Sequence, residues 1–249
     1  MKRNVTLATS DWTGKLLESI YGLEKYEVVF PPVDSPESGL PWEQREDGFL
    51  CIARIVPEKM IDQAIEILKR VREQGFDVSL HVVGRQDNSS YYNKIKALCE
   101  ENGNWAQLHG VLSKNDLFEL MGRNRFGINA AFEEPSGVAA LEMVKAGNIV
   151  FVRDGGGLPE IVDMPALTYG SVEDGVDKIV DVLRSESSQK TILSDLELRG
   201  ETFSTQVFSE TIQKAAEQFF SQTRKVEGAE VHRKASGGSQ TRRQDEIQN

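Results

Sequence analysis

The protein has 249 residues, which allows one large or two small domains, and its formal net charge of −10 argues against nucleic acid as a main partner. Its two cysteines, Cys51 and Cys99, lie far apart, so neither a disulfide framework nor a metal site is indicated. The N-terminal residues lack the apolar segment of a signal peptide, and no apolar run approaches a membrane span. We therefore expect a cytoplasmic protein without a transmembrane segment; peripheral attachment to a membrane stays open.

The first part of the chain predicts one strand–helix–strand unit. A strand is expected at 5–9, a helix that Ser10 caps and Gly22 ends, and a second strand at 26–30. Residues 35–47 are rich in Pro, Ser, Gly and acidic residues, which is typical of a linker.

From residue 49 onward, predicted strands alternate with amphipathic helices. The unbroken apolar run at 49–53 predicts a strand buried on both faces. Other short apolar segments follow at 78–83, 108–111, 126–130, 149–152 and 166–167. Such alternation indicates an α/β fold, a Rossmann-like parallel sheet with helices on both faces.

Several polar or small residues directly follow predicted strands of this sheet. Ligands of parallel sheets bind beyond the carboxyl ends of the strands, so these residues are expected to line one crevice. They are Arg54, Gly84, Val111 and Glu134. Arg54 and Lys59 flank the turn after the strand at 49–53, where both could reach a diphosphate: arginine offers a bidentate fork and lysine a point charge.

Two carboxylates eight positions apart, Glu134 and Glu142, bracket a predicted helix start. Proline needs no amide partner in a first turn and serine is a good cap, so Pro135, Ser136 and Gly137 predict a helix start. The helix is expected to continue from Val138 to Ala146 and to end at Gly147. The amides and dipole of a helix N-terminus attract phosphate, whereas the carboxylates would accept hydrogen bonds from hydroxyl groups. A phosphate flanked by hydroxyl groups describes a sugar nucleotide.

The stretch from Glu134 to Glu160 resembles the retaining glycosyltransferases of family four. The matching features are two glutamates separated by seven residues, then Ala146-Gly147, Gly156-Gly157 and Glu160. The resemblance implies the C-terminal half of a GT-B fold. It also implies that Glu134 holds the donor sugar and Glu142 the ribose.

By the same resemblance, Arg54 and Lys59 hold the donor diphosphate and stabilise the leaving group. The catalytic residues would be Arg54, Lys59 and Glu134. The donor-binding residues would be Gly84, Val111, Glu134, Ser136, Gly137, Val138 and Glu142.

The opening unit resembles the last unit of the family's N-terminal acceptor domain together with its hinge. We expect four segments: this remnant at 1–34, the linker at 35–47, the donor-binding domain at 48–223, and a polar, disordered tail at 224–249. The C-terminal helix of the family crosses back to the N-terminal domain, so part of its aromatic stripe is expected to be uncovered.

The resemblance implies sugar transfer from a nucleoside diphosphate-sugar to an unknown acceptor, with retained configuration. No Asp-x-Asp motif is present, so no metal cofactor is expected. Three alternatives stay open: a catalytic subunit whose N-terminal half is a separate chain, a non-catalytic nucleotide-sugar binding module, and an inactive gene fragment.

Overall fold

The computed structural model describes residues 5–36 and 39–237, with side chains up to residue 221. Its strands are β1 (Leu7–Ala8), β2 (Glu27–Val28), β3 (Glu46–Ile52), β4 (Ser79–Val83), β5 (Ala106–Gly110), β6 (Asn124–Asn129), β7 (Ile149–Arg153) and β8 (Thr168–Tyr169). Its helices are α1 (Asp11–Tyr21), α2 (Ile61–Glu73), α3 (Ser89–Glu101), α4 (Lys114–Arg123), α5 (Val138–Lys145), α6 (Leu158–Val162), α7 (Val172–Leu183), α8 (Glu186–Glu201) and α9 (Thr205–Gly237). Short 3-10 turns cover Trp42–Gln44, Pro57–Lys59 and Pro165–Leu167.

Strands β3 to β8 form one parallel sheet in the order β5-β4-β3-β6-β7-β8. Its central strands carry fully buried apolar side chains, which follows from the unbroken apolar runs in the sequence. Helix α2 packs against α3 and α7, and α5 packs against α6 and α8. The predicted α/β fold, with helices flanking a parallel sheet, is confirmed.

The strand order reverses direction between β3 and β6. From β3 the chain proceeds outward to β4 and β5, and it then returns to place β6 on the other side of β3. In open parallel sheets the crevice at such a switch point is the usual ligand site. The segments that follow β3 and β6 therefore border this crevice.

Residues 5–34 form a separate two-stranded parallel sheet, β1 with β2, covered by α1. Ser10 caps α1 by accepting from the Thr13 amide, and Gly22 ends it with a φ of 62°, both as the sequence predicts. The borders of the four expected segments stay predictions. Strand β3 nevertheless begins at Glu46, within the predicted linker.

The structure corrects two local predictions and adds two helices. Helix α5 starts at Val138 with Gly137 as its N-cap, so Pro135 and Ser136 precede the helix instead of starting it. The expected strand at 166–167 is part of a 3-10 turn, and β8 follows it. Helices α6 and α8 were not predicted. Helix α8 has few apolar residues and only a weak amphipathic pattern, so its packing against α5 stabilises it more than its own sequence does.

The backbone of α9 continues to Gly237, although disorder is predicted from Arg224. Lysine, glutamate and alanine, frequent in this stretch, are strong helix formers. The remainder of the predicted tail, 238–249, lies outside the described residues. None of the helices in the described part of the chain combines the length and apolarity needed to cross a bilayer.

Candidate functional site

An ion pair between Lys59 and Glu134 bridges the switch point of the sheet. Lys59 ends the 3-10 turn after β3, and Glu134 lies in the loop after β6, 75 positions later. Their side chains are only 19% and 14% exposed, so the two charges meet in a largely shielded place. The structure thus brings together two residues that the sequence predicts for one site.

The backbone beside each member of the pair adopts an uncommon conformation. Met60, next to Lys59, has a φ of 48°, and Glu133, next to Glu134, has a φ of 58°. Left-handed conformations are costly for residues other than glycine and are concentrated at functional sites. The surrounding structure holds the backbone in these two conformations beside the charged residues. Neither conformation is signalled by the neighbouring residues in the sequence.

The glycines at 155–157 pack against the backbone of the Glu134 loop. A Cβ on Gly156 would come within 2.3 Å of the Glu134 carbonyl oxygen, and one on Gly157 within 2.5 Å of the Pro135 carbonyl oxygen. The Gly157 amide donates to the Glu134 carbonyl oxygen at 2.8 Å. Because Gly156 and Gly157 have no side chains, the two loops can approach each other closely, and this contact fixes the position of Glu134.

Arg54 is separate from this pair in the structure. Its side chain is 62% exposed, and its guanidinium lies 3.6 Å from the Asp87 carboxylate. Gly84 follows β4, and a Cβ there would lie 1.7 Å from the Ala53 carbonyl oxygen, which gives this glycine a packing role. Val111 follows β5 and is 70% exposed, so it is available at the same edge of the sheet.

The N-terminus of α5 lies beside Glu134. Gly137, the N-cap, has a φ of 54° and offers no side-chain cap, and its amide lies 3.4 Å from the Glu134 carboxylate. Val138 is 43% exposed at the start of the helix, and Ser136 is half-buried before it. The predicted helix terminus therefore faces the site, with glycine rather than serine at its cap.

Glu142 is half-buried one turn further along α5. Burial raises the pKa of its carboxyl, Asp34 raises it further, and Lys114 acts in the opposite direction. Among the described residues its side chain has no hydrogen-bond or ion-pair partner. A partly buried carboxylate without a partner is suited to accept hydrogen bonds from a ligand.

Arg153 is a further cation at this edge, which the sequence reasoning missed. It ends β7, donates to the Gln63 side chain, and places its guanidinium 5.5 Å from the centre of the Phe132 ring. Its Nε is buried without a hydrogen-bond partner in the described structure. The available signal was an arginine directly after the apolar run at 149–152.

Residues 37–193 match the family model described as glycosyl transferases group 1, which spans more than half of the chain. The chain belongs to this family. The matched region contains all the predicted site residues named above.

Two similar curated proteins are named GDP-Man:Man(3)GlcNAc(2)-PP-Dol alpha-1,2-mannosyltransferase. The one from Neurospora crassa is 30% identical, with 62% of this chain and 33% of the relative covered. The one from Candida glabrata is 25% identical, with coverage of 62% and 34%. The chain thus spans about a third of the length of these relatives.

Solved glycosyltransferase structures share the fold. A Rickettsia africae glycosyltransferase superposes with a TM-score of 0.73 at 18% identity, covering 87% of this chain and 64% of its own. Anabaena HepE, solved with UDP and glucose, gives a TM-score of 0.74 at 16% identity, covering 86% and 63%. At these identities the likeness shows the fold alone.

Proposed function

We propose that this chain is the donor-binding part of a retaining family-four glycosyltransferase that works without a metal ion. The observation that carries the proposal is the shielded Lys59–Glu134 pair across the switch point, beside the N-terminus of α5. A diphosphate would find a cation and a helix terminus there, and a sugar would find a carboxylate.

The proposed chemistry assigns a role to each charged group. Cleavage of the bond between the sugar and the diphosphate leaves negative charge on the leaving group, which Lys59, Arg54 and the terminus of α5 would stabilise. Once a diphosphate takes Lys59 as its partner, Glu134 is free to accept hydrogen bonds from sugar hydroxyls. Glu142, which lacks a partner among the described residues, would accept them from the ribose.

We propose GDP-mannose as the first donor to test. Both curated relatives carry that donor in their names, whereas Anabaena HepE was solved with UDP and glucose. GDP, UDP and their sugar conjugates are therefore the ligands to compare in a binding experiment.

We further propose that the acceptor half is supplied from outside this sequence, either by a separate chain or by a longer protein. Alignment of an acceptor hydroxyl with the anomeric carbon depends on closure of two domains in such enzymes. Loss of that alignment removes on the order of 7–11 kcal/mol of barrier reduction. The chain alone should therefore bind a donor but transfer little sugar.

Isothermal calorimetry with GDP, UDP and their sugar conjugates tests donor binding. Lys59→Ala is expected to weaken nucleoside diphosphate binding by roughly ten- to a hundred-fold, because a charge-assisted contact is lost. Lys69→Ala, which removes an exposed lysine of α2, is the matched control and should bind as the parent does. Equal affinity of both variants would refute the assigned role of Lys59.

A transfer assay tests whether sugar transfer requires an acceptor half supplied from outside this sequence. Sugar release from GDP-mannose and transfer to mannoside acceptors would be measured for the pure chain, then with a candidate N-terminal half added. Proton NMR of the product reports whether the anomeric configuration is retained. Rapid transfer by the pure chain, at a rate unchanged by the added half, would contradict the proposal that the acceptor half is supplied from outside this sequence.

A further inference from the structure

The N-terminus of helix α1 is closed by a carboxylate from a distant element. Glu160, in α6, accepts hydrogen bonds from the Asp11 amide at 2.7 Å and from the Trp12 amide at 2.8 Å, one to each oxygen. The Thr13 amide donates to the Ser10 hydroxyl at 3.1 Å. Three of the amides that a helix cannot satisfy internally, those of Asp11, Trp12 and Thr13, are thus paired.

The same end of α1 contacts the loop that carries Glu134. The Ser10 hydroxyl donates to the Pro135 carbonyl oxygen at 2.7 Å. A Cβ on Gly157 would lie 2.7 Å from the Ser10 Cβ, so the three segments meet without spare space. The position of α1 and the position of the Glu134 loop are therefore linked by direct contact.

Glu160 is itself held from the opposite side. Arg199, in α8, donates to the Glu160 carbonyl oxygen and, at 3.3 Å, to the Ile161 carbonyl oxygen. The guanidinium of Arg199 also lies 5.6 Å from the ring centres of Phe30 and Phe203. The α6 backbone is anchored to the donor-binding region, so the Glu160 carboxylate is a fixed point against which α1 docks.

We propose that Glu160 is a positioning residue: its carboxylate holds the N-terminus of α1 against the Glu134 loop and thereby sets the place of Glu134. This inference rests on the proposed function, in which Glu134 contacts the donor sugar. A carboxylate suits the task because it neutralises the positive end of the helix dipole and accepts two amide hydrogen bonds at once. An amide side chain offers only one acceptor oxygen.

Hydrogen–deuterium exchange tests the contact without any ligand. Glu160→Ala should speed exchange in peptides covering 10–14, 133–137 and 155–158 by about tenfold or more, since two charge-assisted bonds are lost. Glu160→Gln should fall between Glu160→Ala and the parent. Glu186→Ala, which removes an exposed acid from the first turn of α8, is the matched control and should leave these peptides unchanged. Unchanged exchange in both Glu160 variants would overturn the proposal.

Calorimetry with GDP and GDP-mannose, and with UDP and UDP-glucose, separates positioning from general loss of structure. In Glu160→Ala the extra affinity contributed by the sugar should fall by about tenfold, while affinity for the diphosphate alone changes by less than about twofold. A general structural defect would weaken both ligands together and count against the proposal. If the parent binds no nucleotide, the proposed function fails, and the exchange experiment still decides whether Glu160 holds the loop. If the parent binds and the variants match it for both ligands, the proposed function stands and the positioning role is wrong.

Discussion

The strand–helix–strand unit at 5–34 and the region built on the six-stranded sheet differ in how they are stabilised. Strands β4, β6 and β7 bury their apolar side chains almost completely, whereas the small unit exposes much of its apolar surface. Leu16, Ile20 and Tyr21 of α1 are 42%, 59% and 71% exposed. The difference shows that one region has its own core, while the other depends on contacts made elsewhere.

Those contacts are few and specific. The Phe30 ring meets the Phe203 ring at 5.2 Å between centres, and Glu160 closes the first turn of α1. Near Val5 and Leu7, an apolar cavity of about 390 Å³ is lined on its other side by α9 residues, among them Phe220, which is 60% exposed. Phe219, which belongs to the predicted stripe of the C-terminal helix, is half-buried, so the expectation that part of this stripe is uncovered stays a prediction.

The largest expected contrast comes from one leucine in each region. Leu50→Ala should cost about 2–5 kcal/mol of unfolding free energy, because Leu50 is fully buried in β3. Leu16→Ala, on exposed α1, should cost less than about 1 kcal/mol. Urea unfolding monitored by circular dichroism measures both. A similar cost for the two substitutions would mean that the small unit belongs to the main core.

The two regions should also differ in how their stability depends on pH, since residues 5–34 contain no histidine. His81 is 5% exposed in β4, with Nδ1 at 3.0 Å from His109 Nε2. Burial, together with the neighbouring His109 and Arg123, lowers the pKa of His81 to about 4.

Because the unfolded chain binds a proton near pH 6.5 and the folded chain resists it, stability should fall as the pH drops from 6.5 toward 4. The total loss is expected to be about 2–3 kcal/mol. Urea midpoints at pH 7, 6 and 5 follow most of this loss, above the usual range in which exposed carboxylates titrate. His81→Leu should flatten this profile, and an equally steep profile in that variant would assign the effect to other groups.

Breaking one lysine ion pair in each region tests the comparison further. Lys59→Met leaves the shielded Glu134 carboxylate without its partner, at an expected cost of about 1–3 kcal/mol. Lys15→Met breaks the exposed pair with Asp11 in α1 and should leave the unfolding free energy nearly unchanged, because solvent screens that pair. The double variant Lys59→Met/Glu134→Gln should recover part of the loss in thermal unfolding. No recovery would indicate that the pair does not account for the cost.

The smallest expected effect is a gain in stability at Glu142. Because burial raises the pKa of its carboxyl, the fold favours the neutral form, and its contribution declines as pH rises through the raised value. Glu142→Gln should therefore raise the melting temperature slightly at pH 7, by about 1–3 °C, and not at pH 4. The exposed Glu186→Gln is the control. A gain that persists at pH 4 would exclude the pKa explanation.

Local chemistry explains why much of the fold could be predicted. Unbroken apolar runs such as 49–53 must be buried on both faces, and alternation with amphipathic helices leaves few arrangements other than a parallel sheet. Ser10 and Gly22 act within their own turn, so their capping roles were readable from neighbouring residues. Lys59 and Glu134 were predicted as site residues from a motif resemblance and from their place after predicted strands.

The tertiary structure decided what depends on distant partners. The Lys59–Glu134 ion pair exists because the strand order places the ends of β3 and β6 side by side. Gly137 became the cap of α5 because the Gly155–Gly157 loop holds the preceding backbone, and α8 formed because α5 and β7 offered it a packing surface. Glu160 matches a family motif in the sequence, but its partners could not be read from that motif, because only folding brings the amides of α1, almost 150 positions away, to its carboxylate. Sequence patterns report local conformation and burial, whereas such pairings are set by the packing of elements far apart in the chain.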